Sequence, residues 1–227
     1  MMNEHSLHSE IRKVYSIPGD QFEVKLDDYV VDILRGKLII EIQTKNFSAI
    51  RKKLEALIEN HKVRLAYPLT ERKWITNFTK ENVIMSKRRS PKKGKLADLF
   101  RELVMIAHIV GDANFSLEVL LIDEEEIRCN DGRGSWRRRG ASIKERRLLQ
   151  VNSRILFQNK TDYLKVLPDG LNQVFTNKEL SKLGKIPLRT ARQITYCLRK
   201  SGAILLAPKQ GRELSFQLSP KVEKKIE

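Results

Sequence analysis

Apolar and polar positions alternate with a two-residue period over residues 21–26 (QFEVKL) and again through 29–45 (YVVDILRGKLIIEIQTK). That is the repeat of side chains standing on opposite faces of a strand. Asp27-Asp28 and Arg35-Gly36 interrupt the pattern as turns, so a three-strand meander is predicted. Residues 6–15 ahead of it read as a short helix. After it the period lengthens: in 47–61 Ile50, Leu54, Leu57 and Ile58 share a helical stripe, with Arg51, Lys52, Lys53 and Glu55 outside it. Residues 62–67 (KVRLAY) return to the period of a strand. The predicted order is helix, meander, helix, strand.

Further on, 96–110 (LADLFRELVMIAHIV) predicts one largely apolar helix and 115–122 (FSLEVLLI) a strand, both extending the first core. Residues 143–166 are expected to form a helix. Residues 175–184 (FTNKELSKLG) carry a Thr176 to Glu179 capping box and end in glycine, and a helix over 188–201 follows a turn through Pro187. Strands over 203–207 and 213–218, joined by 208–212, complete the chain's pattern.

Four polar groups break the apolar hairpin: Asp32, Glu41, Gln43 and Lys45. An uncompensated polar group in a buried strand costs roughly 2 to 7 kcal/mol, so each calls for a partner. In the alternation Leu38, Ile40 and Ile42 face one side, while Ile39, Glu41, Gln43 and Lys45 face the other. The turn at Arg35-Gly36 brings Asp32 opposite Glu41, and two hard oxygen ligands with carbonyls and waters suit Mg²⁺. The plainer alternative is an edge ion pair of Glu41 with Lys45 or Arg35.

This order of elements, with Asp32 on the second strand and Glu41-Ile42-Gln43 on the third, resembles the PD-(D/E)XK nuclease superfamily over about the first third of the chain. The resemblance implies a restriction-endonuclease-like mixed sheet flanked by helices, of class α/β. It makes Asp32 and Glu41 the two acids of the motif, and Asp32, Glu41 and Ile42 the positions around Mg²⁺ or Mn²⁺. Gln43 stands where the superfamily usually has lysine, so it orients a water without deprotonating it. Lys45, two residues on, supplies positive charge if the strand extends that far, and Glu10 on the first helix matches an additional acid of some members. The implied activity is metal-dependent endonucleolytic hydrolysis of phosphodiesters.

The paired helices and following hairpin near the C-terminus resemble a winged helix-turn-helix, with 143–166 as its first helix. The second helix of the pair then lies in the major groove, where Arg189, Thr190, Arg192 and Gln193 read bases; Lys209 and Arg212 on the wing meet the backbone. Winged helices also mediate protein contacts.

Charge favours a polyanionic partner, double-stranded DNA being the expected one. The chain has 44 Lys and Arg against 28 Asp and Glu, a net charge of +16. The excess is concentrated, with +5 over residues 1–140 and +11 over 141–227. Two dense runs lie between: 87–95 (KRRSPKKGK), with Lys87, Arg88, Arg89, Lys92 and Lys93, is expected to be a mobile loop. In 133–147, Arg137, Arg138 and Arg139 follow Trp136. Both suit phosphate clamping. The acidic run Asp123 to Glu126 is expected to be a solvated face opening a turn. The predicted division is a nuclease domain over 1–122, a basic linker over 123–140 and a winged helix over 141–227.

Other classes find little support. Two isolated cysteines, Cys129 and Cys197, make neither a zinc site nor a disulfide framework and suit a reducing cytoplasm. No apolar run is long enough for a membrane span, the first residues do not read as a signal peptide, and no Gly-rich phosphate loop suggests a nucleotide cofactor. A homodimer is compatible with the sequence. The alternative to the nuclease is a DNA-binding regulator or accessory subunit on a degenerate nuclease fold.

Overall fold

The structure, a computed structural model, describes residues 5–219. Its first half contains α1 (His5–Tyr15), β1 (Gln21–Leu26), β2 (Tyr29–Arg35), β3 (Leu38–Ile42), α2 (Phe47–Asn60), β4 (Lys62–Phe78) and β5 (Ile84–Arg89). Then come α3 (Phe100–Leu103) between two 3-10 turns, β6 (Phe115–Cys129) and β7 (Ser142–Phe157). A C-terminal unit follows with β8 (Val174–Thr176), α4 (Asn177–Leu183), α5 (Leu188–Lys200), β9 (Ile204–Gln210) and β10 (Glu213–Leu218).

The large sheet has seven strands in the order β1-β2-β3-β4-β6-β7, with β5 paired to β4. Both β3–β4 and β4–β6 are parallel and the remaining pairs antiparallel, so the chain is a mixed α/β protein. Strand alternation distributes the core. Ile40 and Ile42 join Ile33, Ala66, Leu120 and Ile122 under α1, which contributes Leu7, Ile11 and Tyr15. On the opposite face Ile39, Val63, Leu65 and Leu117 meet Ile50, Leu54 and Leu57 of α2. Fully burying each such side chain contributes roughly 1.5 to 3 kcal/mol.

One edge of β4 is shared. β3 covers Lys62 to Ala66 and β5 covers Trp74 to Phe78, leaving residues 67–73 between them without a strand partner on that side. The C-terminal unit is a three-stranded sheet, β8-β10-β9, with α4 and α5 packed on it. Its Phe175, Leu180, Ile194, Leu198 and Phe216 belong to the same core cluster as Leu99, Phe100 and Leu103.

The meander and its flanking helices form as the pattern predicts, while several other elements differ. Residues 143–157, expected as helix, lie in β7, because the long outer edge of β6 takes them as an antiparallel partner from Ser142 to Phe157. Ladder pairing and burial under α1 outweigh the weak local preference for helix. The expected divisions after 122 and 140 therefore fall inside the β6–β7 hairpin, and no winged-helix first helix forms over 143–166. Residues 96–106 form a broken succession of 3-10 turn, α3 and 3-10 turn. Part of the 87–95 run is strand: Lys87, Arg88 and Arg89 are in β5, exposed throughout.

The acidic run is buried. Asp123, Glu124 and Glu126 lie within β6, matched by cations of the adjacent β4, Arg72 to Asp123 and Lys73 to Glu124 and Glu126, and by Arg128 of β6 itself to Glu126. No isolated run of acids could be buried in this way; the neighbouring strands supply the compensation.

Candidate functional site

The β2–β3 ladder runs Arg35↔Leu38, Leu34↔Ile39 and Ile33↔Ile40. Beyond it the Asp32 carboxylate takes over as acceptor, with Oδ2 receiving the Ile42 N–H at 2.8 Å. The same oxygen lies 3.2 Å from Nε2 of His8, which α1 carries across that end of the sheet. Glu41 points to the opposite face and is only 2% exposed. Its Oε2 accepts from Nζ of Lys53 on α2 at 2.6 Å, and Lys53 also donates to the Val30 carbonyl at 2.7 Å. Glu41 Oε1 is buried with no hydrogen-bond partner among the described residues.

The two carboxylates titrate apart. Burial would raise Asp32, but His8 and the Ile42 amide hold it below its ordinary value. Burial, then the Asp32 charge, push Glu41 up to about 7, against the opposing pull of Lys53. A buried acid beside an ionised one, with an unused oxygen, is a site that gains from a positive charge. Asp32 and Glu41 are the two carboxylates at this end of the sheet that could hold a divalent cation. Among the described residues no cluster of three His, Cys, Asp or Glu side chains adds to them.

The other expected members lie elsewhere. β3 ends at Ile42, and Gln43 turns its amide to the Lys45 and Asn46 carbonyls, at 2.5 and 3.2 Å, bracing the turn into α2. Lys45 sits on that turn, past the strand. Glu10 faces β7, where it accepts the Leu148 N–H at 2.6 Å. Sequence reasoning missed Lys53 and His8. Lys53 had a legible signal: 50, 53 and 57 form one i, i+3, i+7 row, so the inward stripe carries a lysine at its margin. His8 had none, since its contact depends on how α1 crosses the sheet.

The expected DNA-contacting residues occupy three regions. Arg189 and Arg192 are exposed on α5, with Thr190 and Gln193 half-buried beside them. Tyr196 and Arg199 extend that exposed row, a continuation visible in the i, i+3, i+7 spacing. Lys209 and Arg212 are exposed around the turn between β9 and β10, where Gly211 adopts φ 62. Lys87, Arg88, Arg89, Lys92 and Lys93 are exposed along and after β5. At the β6–β7 loop Arg137 stacks over Trp136 at 5.5 Å, Arg138 donates to the Ala141 carbonyl and Arg139 is exposed.

Fold and site together define a mixed α/β protein with a polarised pair of carboxylates, Glu41 buried and Asp32 half-buried, at one end of its large sheet. The chain belongs to the family described as "Domain of unknown function (DUF8091)", which matches residues 5–158 and so ends with β7. It is similar, at 27% identity over 219 residues, to an uncharacterized protein of Treponema pallidum (strain Nichols), covering 96% of this chain and 86% of the relative. No solved structure gives a significant match. No helix among the described residues is long and apolar enough to cross a membrane.

Proposed function

We propose that this protein is a metal-dependent DNA endonuclease of PD-(D/E)XK type, directed to its substrate by a C-terminal winged helix. The observation that carries the reading is Glu41: an almost fully buried carboxylate with an unpartnered oxygen, raised in pKa beside an ionised Asp32 and in contact with a lysine. The pair of helices α4 and α5 backed by the β9–β10 hairpin supports the winged-helix part, and the net charge of +16 supports a polyanionic substrate.

Asp32 and Glu41 would hold Mg²⁺ or Mn²⁺. Such an ion supplies charge neutralisation at phosphorus and activation of water. Asp32 is oriented for this by the Ile42 amide and His8, and Glu41 by Lys53. Lys53, anchored at both Glu41 and the Val30 carbonyl, adds a fixed cation where charge builds on the phosphate, the part that Gln43 and Lys45 were expected to play. Incubating purified protein with supercoiled, linear and single-stranded DNA, in Mg²⁺, Mn²⁺ or EDTA, tests the activity. Metal-dependent cutting is expected; its absence from every substrate and metal would overturn the proposal and favour a DNA-binding accessory protein.

Lys53→Met is expected to lower the cleavage rate about 10²-fold with little change in DNA affinity, since it removes charge felt mainly in the transition state. Equal rates in the variant and the parent protein would make Lys53 a packing residue. On α5, Arg192→Ala is expected to cost about 1 to 3 kcal/mol of binding and relax preference at one base pair, whereas Lys209→Ala should weaken all sequences alike. Competition binding against a randomised duplex library distinguishes the two patterns.

A further inference from the structure

We infer that the cavity along the uncovered edge of β4 receives one nucleotide of a single-stranded DNA segment, with its phosphate held between Lys92 and Arg101. The choice of nucleic acid rests on the nuclease reading above; the anion site rests on the cavity itself. β3 pairing stops at Ala66 and β5 pairing starts at Trp74, and a cavity of about 390 Å³ opens along the interval. That volume suits a single nucleotide and excludes a duplex.

Its charges are unbalanced. Lys45, Lys73, Lys92, Arg101, Arg128 and Arg146 line it, against Asp98, Glu102 and Glu124. Only Glu124 is paired with a lining cation, whereas Asp98 and Glu102 keep their charge while accepting backbone N–H groups. Asp98 accepts the Lys95 N–H at 3.0 Å, Glu102 accepts the Phe47 N–H at 3.1 Å, and Glu124 pairs with Lys73 at 2.7 Å. Lys92 and Arg101 stand exposed at the rim and make no ion pair among the described residues. Six lining cations against three carboxylates leave the cavity with a net positive charge, which attracts an anion.

The loop carrying Lys92 is fastened in place. Ser90 donates its N–H to the Lys73 carbonyl at 2.7 Å and Gly94 donates to the Glu71 carbonyl at 3.3 Å. A Cβ at position 94 would fall 1.9 Å from the Thr70 carbonyl oxygen, so only glycine lets the loop lie this close. The run expected to be mobile is thus docked on β4, and Lys92 is positioned rather than waving.

The remaining walls suit a base and sugar. Tyr67, Pro68, Leu69 and Ile75 give the cavity an apolar side. A second cavity of about 300 Å³ shares Leu7, Thr44, Lys45 and Arg146 with the first and is lined further by Arg133, Arg138 and Lys144. Past Arg138 lies Trp136, 81% exposed, with Arg137 over its ring. A cationic track with an aromatic platform at its end is the chemistry of single-strand binding. The preferred substrate would be a displaced strand, a flap or a frayed end.

The test uses the whole protein in EDTA, with fluorescein-labelled oligo(dT) and a duplex of equal length, followed by anisotropy across a salt series. Oligo(dT) should bind, and the Lys92→Glu, Arg101→Glu double variant should weaken it at least about tenfold and flatten the slope of log K against log salt by about 1. Both positions are exposed and unpaired, so melting curves should be unchanged. Trp136→Ala should weaken oligo(dT) about tenfold and abolish any binding-induced quenching from that side chain. Unaltered oligo(dT) affinity in the double variant, or binding of duplex alone, would overturn the inference. A protein that binds oligo(dT) through Lys92 and Arg101 yet cuts no DNA in Mg²⁺ or Mn²⁺ keeps this inference and loses the nuclease reading.

Discussion

Asp32→Ala and Glu41→Ala should each reduce metal-dependent DNA cleavage by about 10³-fold or more while leaving DNA affinity in EDTA within a factor of about two. The expectation follows from the sign of the charge that is removed. The acids lie at the splayed end of β2 and β3, and the cationic surfaces lie on α5, on β5 and around the β6–β7 loop. Removing a carboxylate removes negative charge, so it cannot weaken binding to a polyanion by Coulomb attraction. A fall in rate without a fall in affinity therefore isolates chemistry from binding. Asp32→Asn and Glu41→Gln are the shape-conserving controls, because Asn can still accept the Ile42 N–H and Gln can still accept from Lys53. Cleavage by Asp32→Ala at the rate of the parent protein would remove the carboxylate pair from catalysis.

The part of this arrangement that is local in sequence was legible in it. Alternation through 38–42 placed Ile40 and Ile42 on one face and Glu41 on the other, and the turn, expected at Arg35-Gly36 and formed one residue later at Gly36-Lys37, sets the register that brings Asp32 to the same end. Capping chemistry likewise marked α4, where Thr176 and Glu179 bond as the pattern predicts. What could not be read depends on long-range pairing. β7 has no strong period of its own and is a strand because β6 lies beside it for its whole length. The acids of β6 looked like a solvated run because the sequence does not show that Arg72 and Lys73 of β4 stand next to them. Lys53 and His8 reach the carboxylates from separate helices, and such convergence appears only once the helices are docked. Assigning water orientation to Gln43 and positive charge to Lys45 assumed a strand longer than the one that forms; Asn46, at φ 57, turns the chain into α2 instead.

The protein should lose stability as pH rises from about 5 to about 8.5, and Glu41→Gln should abolish most of that loss. The folded protein holds Glu41 near 7, raised from an ordinary 4.5 first by burial and then by the Asp32 charge. A carboxyl raised on folding favours the folded state while it is protonated. Its contribution is complete below the unfolded value and is lost as pH climbs through the folded one. At about 1.4 kcal/mol for each pH unit between the two values, the loss is about 3 kcal/mol, or roughly 6 to 12 °C in Tm for a chain of this size. Asp32 works in the opposite sense, being held low, and its contribution is lost only as pH falls below the ordinary range of an aspartate, outside this window. Tyr15 is raised from 10.0, well above the window, and Cys197 from 9.0, so that Cys197 contributes only at the window's alkaline edge. Differential scanning calorimetry of the parent protein and Glu41→Gln across the window reads the difference directly. The two Tm curves should converge near pH 5 and separate by pH 8.5, with the variant higher. Added Mn²⁺ should raise the parent's Tm at the alkaline end, where Glu41 is ionised, and have little effect at the acidic end, where the proton competes for the same oxygens. Parallel Tm curves for the two proteins would show that Glu41 titrates as an ordinary carboxylate, and the polarised pair would lose its physical basis.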